Sequence, residues 1–245
     1  MRIGIIGVGN IGTVLSHKLV NNGHEVKVAD ARSIDKLANK NFSGKAVEVE
    51  DVIKGIDILI IAIPFPATPD LKYLMNQVDD DVIIVDTSNY APVLRDKNIE
   101  ELDNGMSDSV WVSQQLGKPV IKAFNNLLEE TLDDKGAPEN TENRIAMAIA
   151  GDNQKDKEVI MDIVSEIGFD TVDSGSLKDS WRHQPGTPAY CTELTKEELK
   201  QALDHADNDK RPILREKMIN EIQKLSKDEF STDKIVQLGR KIYNP

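Results

Sequence analysis

The sequence predicts an α/β fold: a doubly wound parallel sheet followed by a small C-terminal helical region. Three observations predict it. Short apolar runs rich in Ile and Val alternate with stretches of helical periodicity from residue 2 to residue 173. The first run leads directly into the glycine turn Gly7-Val8-Gly9-Asn10-Ile11-Gly12. After residue 173 the alternation stops, and an irregular tract is followed by capped helical segments. Strands alternating with helices imply a parallel sheet with both faces covered. The expected division is a sheet domain over 1–173, with an irregular segment and helices over 174–245.

Each element follows from its residues. Arg2 to Ile6 is β-branched at three of five positions and reads as a strand buried on both faces. Ile11, Leu15, Leu19 and Val20 recur at helical spacing, up to the stop Asn21-Asn22-Gly23. Glu25 to Ala29 is a second strand ending at Asp30, and Ser33 caps a short helix to Lys40. Ala46 to Glu48 reads as a short strand and Val49 to Lys54 as a helical turn. Asp57 to Ile63 is the strongest strand and ends at Pro64-Phe65-Pro66, where proline forbids further pairing. A helix over 69–78 and a strand over 82–85 follow, then a polar stretch over 90–108. Helix 110–116 stops at Gly117, and strand 119–123 leads into Phe124-Asn125-Asn126. Strand 144–150, an amphipathic helix over 153–167 and strand 169–173 close the series. In the tail, Thr195 to Glu198 forms a capping box that opens a helix, with further helices over 212–225 and 232–242.

The glycine turn carries the function. A bare GxGxxG is weak, but here it follows a strand, opens a helix and stands 21 positions before an acidic strand end, Asp30. Gly7 permits the tight turn, Gly9 lets a pyrophosphate approach the backbone, and Gly12 lets the helix pack on the strand. The free N–H groups and dipole at the helix start hold the anion. The expected fold is therefore of Rossmann type and the expected ligand a dinucleotide.

Composition narrows the partners. With 42 acidic and 30 basic residues the chain carries a net charge of −12, which disfavours nucleic acid and anionic membranes. Cofactor phosphates must then be held by local dipoles. The single cysteine, Cys191, excludes an intramolecular disulfide and suits the cytoplasm. The first strand begins at once, so no signal peptide is expected. The longest apolar run, Ile56 to Phe65, contains Asp57 and is too short to span a bilayer.

Ligands on such sheets bind beyond the carboxyl ends of the strands. Gly7 to Gly12 should take the pyrophosphate, Asp30 to Ser33 the adenosine ribose, and Ala62 and Pro64 should pass beneath the cofactor. Asn89 and Asn125 should face the nicotinamide. His183, beside Trp181 and Arg182, reads as structural and Cys191 as packed.

Taken together, MRIGIIGVGNIG, the strand end IAIPFP, and the tracts VIKAFNN and WRHQPGTPAYC resemble the coenzyme F420-dependent NADP oxidoreductase family over residues 1 to about 173. The late tract resembles its bacterial branch. The resemblance implies that Gly7, Gly9, Asn10, Ile11 and Gly12 form the phosphate turn, that Arg32 and Ser33 stand near an adenosine 2′-phosphate, and that Pro64 and Asn125 lie on the nicotinamide side. Position 30 is Asp, where relatives usually carry Asn or Ser. Asp30 favours the ribose of NAD and Arg32 a 2′-phosphate, and the balance favours NADP.

The expected activity is hydride transfer between NADP(H), alternatively NAD(H), and a small conjugated acceptor such as a deazaflavin or flavin. Proximity supplies the catalysis, so no catalytic residue and no metal are assigned. A homodimer is expected, with the tail from Ser174 covering the crevice or an interface. Two alternatives stand beside this reading. One is a β-hydroxyacid dehydrogenase or imine reductase, which would need a longer helical domain. The other is a nucleotide-sensing module without turnover.

Overall fold

The computed structural model describes residues 1–92 and 94–243. The chain begins as the glycine motif requires, with β1 (Arg2–Ile6), α1 (Asn10–Asn21) and β2 (Glu25–Ala29). It continues through β3 (Lys45–Ala46), α2 (Val49–Val52), β4 (Ile58–Ile61), α3 (Lys72–Met75) and β5 (Ile83–Asp86). Then come α4 (Glu100–Asp103), α5 (Asp108–Leu116), β6 (Ile121–Lys122) and α6 (Glu129–Asp134). The unit β7 (Ala146–Ile149), α7 (Gln154–Glu166) and β8 (Asp170–Asp173) precedes the tail helices α8 (Lys196–Asp204), α9 (Arg211–Gln223) and α10 (Thr232–Tyr243).

Six strands form a parallel sheet in the order β3-β2-β1-β4-β5-β6. The strand order reverses direction between β1 and β4, the switch point where such sheets open a crevice. Both faces are covered, which is why β4 is apolar at every position. Ile58 and Ile60 point into one core with Leu15, Leu19 and Ile163, whereas Leu59 and Ile61 point into the other with Leu74, Trp111 and Val112. A Rossmann-type doubly wound sheet with a helical C-terminal region is thus the fold.

The structure departs from the sequence reading in several places. The series of strands does not run on as one sheet: β7 and β8 pair in parallel with each other, apart from the six. Pro119 offers no N–H, and Phe124 turns the chain at φ 59°, so β6 pairs over two residues only, too few for a ladder with β7. Among the described residues, the bridge between Lys122 and Ala150 is the hydrogen-bonded link between the two sheets. The helix expected over 69–78 is a 3-10 stretch, Phe65–Leu71, running into α3, because Pro66 and Pro69 remove N–H groups. Ser33 caps a 3-10 turn, Ile34–Leu37, its Oγ accepting the Asp35 N–H at 3.2 Å. Within 90–108 the chain forms α4, and in the tract after Ser174 it forms a 3-10 helix, Leu177–His183. That last helix has its own capping box, Ser176 with Asp179, an S-x-x-D signal legible in the sequence.

The tail is docked, not free. Ala189, Leu194, Leu199, Ala202 and Leu203 cover Ala146, Ala148 and Val172 on the face of the β7–β8 pair opposite α7. The Cys191 N–H donates to the Asn126 carbonyl at 2.9 Å, which ties the tail to the end of β6. No helix among the described residues is long and apolar enough to cross a membrane.

Candidate functional site

A cavity of about 410 Å³ opens at the carboxyl ends of β1, β2 and β4. Its walls include Gly7, Gly9, Asp30, Arg32, Ala62 and Pro64, six of the residues singled out from the sequence, together with Lys40. At the turn, Gly7 has φ 108°, and a Cβ there would lie 2.3 Å from the Ala62 carbonyl oxygen. A Cβ on Gly12 would lie 2.0 Å from the Gly7 carbonyl oxygen, whereas one on Gly9 would meet nothing within 4 Å. Gly9 therefore faces open space, and Gly12 is the seat of α1 on β1. Gly9 is the N-cap of α1, no side chain caps it, and the first turn carries no acidic residue. The first N–H groups of a helix have no intrahelical partner, so this end is left for an anion.

The remaining turn residues have other partners. The Asn10 amide donates to Glu129 of α6, and Ile11 packs its side chain on the core beneath α1.

At the end of β2, Asp30 is nearly buried and Arg32 largely exposed. The Arg32 backbone N–H and Nε both donate to Asp30 Oδ1 at 3.0 Å, and Nη2 donates to Oδ2 at 3.0 Å. These hydrogen bonds, the guanidinium's first among them, hold the Asp30 carboxyl below the usual carboxylate range. Asp30 is thus ionised, engaged and neutralised by its neighbour. Lys40 adds a second cation to the wall, one the sequence reading missed. Its signal is weak: a lysine in a polar loop ten positions after the acidic strand end.

On the other side of the sheet's midline, Asn125 is 3% exposed. Its Nδ2 donates to Asn89 Oδ1 at 3.0 Å and to the His183 carbonyl at 2.8 Å, while Asn89 Nδ2 donates to the Asn125 carbonyl at 3.0 Å. Both amide hydrogens of Asn125 are therefore used, and it braces Asn89, which stays half-buried at the loop surface. Because Asn125 Oδ1 is an acceptor, His183 Nδ1 must carry the proton of their 2.9 Å bond. The imidazole is fully buried, and burial with the Lys122 charge beside it lowers its pKa to about 3. His183 is a neutral structural histidine. Burial likewise pushes the Cys191 thiol up to about 12, which makes it inert at neutral pH. Beneath this loop, Lys122 and Asp86 form a buried ion pair at 3.1 Å, with Ser109 Oγ donating to the same Asp86 oxygen at 2.6 Å. Lys122 also donates to the Ser88 carbonyl.

Residues 2–90 match the family described as NADP oxidoreductase, coenzyme F420-dependent. The protein YjhV of Escherichia coli K12 is 45% identical over 74 residues, covering 30% of this chain and 47% of YjhV. The chain covers less than half the length of the curated relatives it matches. Among solved structures, the hypothetical protein SMa0349 of Sinorhizobium meliloti superposes with a TM-score of 0.67 at 27% identity, over 80% of this chain and 96% of that one. A candidate F420-dependent NADP reductase from Arthrobacter sp. FB24 superposes with a TM-score of 0.62 at 18% identity, over 74% of this chain and 87% of its own. At that identity it shares the fold.

Proposed function

We propose that the protein is an NADP(H)-dependent oxidoreductase that passes hydride to or from a small conjugated acceptor of the deazaflavin or flavin kind. The observation that carries this reading is the cavity at the switch point, open at Gly9 and flanked by Arg32 and Lys40. The turn fits a pyrophosphate because the one position that must admit it has room for a side chain and carries none. The backbone from Gly9 to Gly12 would hold the pyrophosphate, and Arg32 with Lys40 the adenosine 2′-phosphate. Asp30 could serve the ribose hydroxyls of NAD, but its oxygens already accept three bonds from Arg32, and this supports NADP. Ala62 and Pro64 form the floor.

When bound, the nicotinamide supplies the hydride chemistry. The chain's own part is to fix two planes and keep water out. The Asn89–Asn125–His183 chain of hydrogen bonds holds the loop after β5 in one position, and orientation then accounts for the rate. The reading assigns no general acid or base. Among the described residues, none from α8 to α10 lines the cavity, which argues against the dehydrogenases that place a catalytic lysine on a helical domain. The lone buried cysteine suits the cytoplasm. A homodimer is part of this reading, and sedimentation tests it.

Titration with NADPH and NADH, followed by steady-state turnover with deazaflavin and flavin acceptors, tests the function. Tight NADPH binding and NADPH oxidation with either acceptor are expected. Binding without turnover on any acceptor would leave the nucleotide-sensing role in its place.

A further inference from the structure

A second cavity, of about 570 Å³, lies between α5 and the 3-10 helix Leu177–His183. It shares no lining residue with the cavity at the glycine turn, and the proposed reaction makes no use of it. Four segments far apart in sequence meet there: α5 with the turn before it, Asp152 after β7, the 3-10 helix, and Asn208 before α9. The walls are tied to one another. Ser107 Oγ donates to the Lys178 carbonyl at 2.6 Å, and the Leu177 N–H donates to Asp152 Oδ1 at 2.9 Å. Asp179 Oδ2 accepts the Ser176 hydroxyl at 2.6 Å, and Asn208 Oδ1 accepts Nε of the buried Arg211 at 3.0 Å. Three of these ties use only one end of a wall residue's polar group. Asp152 Oδ2, Asp179 Oδ1, Asn208 Nδ2, the Gln114 amide and the Trp181 indole N–H have no hydrogen-bond partner among the described residues.

The charges around this cavity balance. The Ser176 hydroxyl first, and then the Arg182 and Lys178 charges, hold the Asp179 carboxyl below the usual carboxylate range. The Arg182 guanidinium also lies 5.8 Å from the centre of the Trp181 ring. Two carboxylates thus stand against two cations, which selects neither an anion nor a cation. The free groups are instead of three kinds: carboxylate oxygens that only accept, an indole N–H that only donates, and amides that do both. A hydroxyl donates and accepts, so a ligand bearing several can meet all three. The indole in the wall offers an apolar surface to the C–H groups of a ring. Small-molecule pockets have volumes of about 300–1,000 Å³ and carry a few placed polar groups of this sort.

We propose that this cavity binds a neutral polyhydroxylated ring, with Asp152, Asp179, Gln114 and Asn208 taking its hydroxyls and Trp181 its apolar face. The site does not depend on the oxidoreductase reading. The probes are glucose, galactose, xylose and myo-inositol, with glucosamine and glucuronate as the cationic and anionic forms of one ring. They are titrated against the full chain by calorimetry and by tryptophan emission. Trp111 is 7% exposed and stacked on Phe65 at 4.9 Å, so a change in emission reports the half-buried Trp181. At least one neutral probe should bind with a dissociation constant of about 1 mM or below and change the emission, and neither charged probe should bind more tightly than it. Which neutral probe binds best distinguishes a sugar from a cyclitol. Asp152→Asn keeps an acceptor for the Leu177 N–H but removes the charge, and should weaken that probe about tenfold or more. Gln114→Ala should weaken it roughly threefold to tenfold. Both positions are exposed, so the fold is retained. Failure of every neutral probe to bind, binding without an emission change, a preference for glucosamine or glucuronate, or an affinity that survives either substitution refutes the site.

Discussion

Two glycines in one turn make opposite demands, and a matched pair of substitutions separates them. Gly9 has φ −75° and ψ −171°, extended backbone that any residue adopts. The side chain of Gly9→Val would project into the cavity and meet no protein atom at its Cβ. Its cost to folding is weaker N-capping, about 1 kcal/mol, offset by about 0.4–1 kcal/mol from a less flexible unfolded chain. The cofactor loses its approach to the backbone. Each charged hydrogen bond is worth about 1.5–3 kcal/mol, so losing two weakens NADPH roughly 10²- to 10⁴-fold. Gly12 reverses the outcome. Its added Cβ would sit 2.0 Å from the Gly7 carbonyl oxygen and 3.1 Å from the carbonyl carbon, so α1 must move off β1. Overpacking of this kind costs about 1–3 kcal/mol, and in a chain of 245 residues that lowers Tm by roughly 2–12 °C. Calorimetric titration and thermal denaturation of Gly9→Val and Gly12→Ala are the assays. A folded Gly9→Val protein with native affinity for NADPH would refute the pyrophosphate assignment, and an unchanged Tm in Gly12→Ala would refute the packing role.

Asp30→Asn should release Arg32 and tighten NADPH several-fold, while Arg32→Ala and Lys40→Ala each weaken it and leave NADH unchanged; a wild type that prefers NADH by about tenfold or more overturns the NADP reading. His183, held near 3 against 6.5 in water by burial, binds its proton in the unfolded chain before the folded one. Its contribution to stability is therefore present above about pH 6.5 and lost as pH falls toward 3, at up to about 1.4 kcal/mol per unit. Urea unfolding at neutral and mildly acidic pH should show a shallower dependence in His183→Gln, and an identical slope would contradict the buried neutral imidazole. Lys122→Met strands the buried Asp86 carboxylate and should cost about 3–5 kcal/mol, part of which Asp86→Asn in the same chain restores; a native Tm in the single variant would show the pair to be solvated.

The half of the molecule around the glycine turn was legible because each level of the sequence agrees there. The short apolar runs, the turn and the helix stop all fall where β1, α1 and β2 form. Legibility fell where local signals were short or conflicting. Residues 69–78 have helical spacing, but Pro69, with Pro66 just before it, makes their start part of a 3-10 stretch. The ladder of β6 depends on how far a partner lies alongside, which no local pattern records. In the site, Gly7, Gly9, Asp30, Arg32, Ala62 and Pro64 come together because strand ends converge by rule. Lys40 escaped because a loop lysine is ordinary in sequence and its placement is tertiary. The bonds that commit both amide hydrogens of Asn125 to Asn89 and His183 are not legible locally, because one partner lies in the tail 58 residues later.

Lys122 joins three parts of the molecule at once. Its N–H donates to the Ala150 carbonyl at 2.8 Å, its carbonyl accepts the Ala150 N–H at 3.1 Å, and its ammonium pairs with Asp86 below the loop after β5. The two sheets therefore cannot part without breaking both backbone hydrogen bonds between Lys122 and Ala150. In hydrogen exchange the amides of Lys122 and Ala150 should belong to a single cooperative unit and exchange only with global unfolding. At the opposite edge of the six-stranded sheet β3 pairs with β2 over two residues only, and its amides should exchange earlier through local opening.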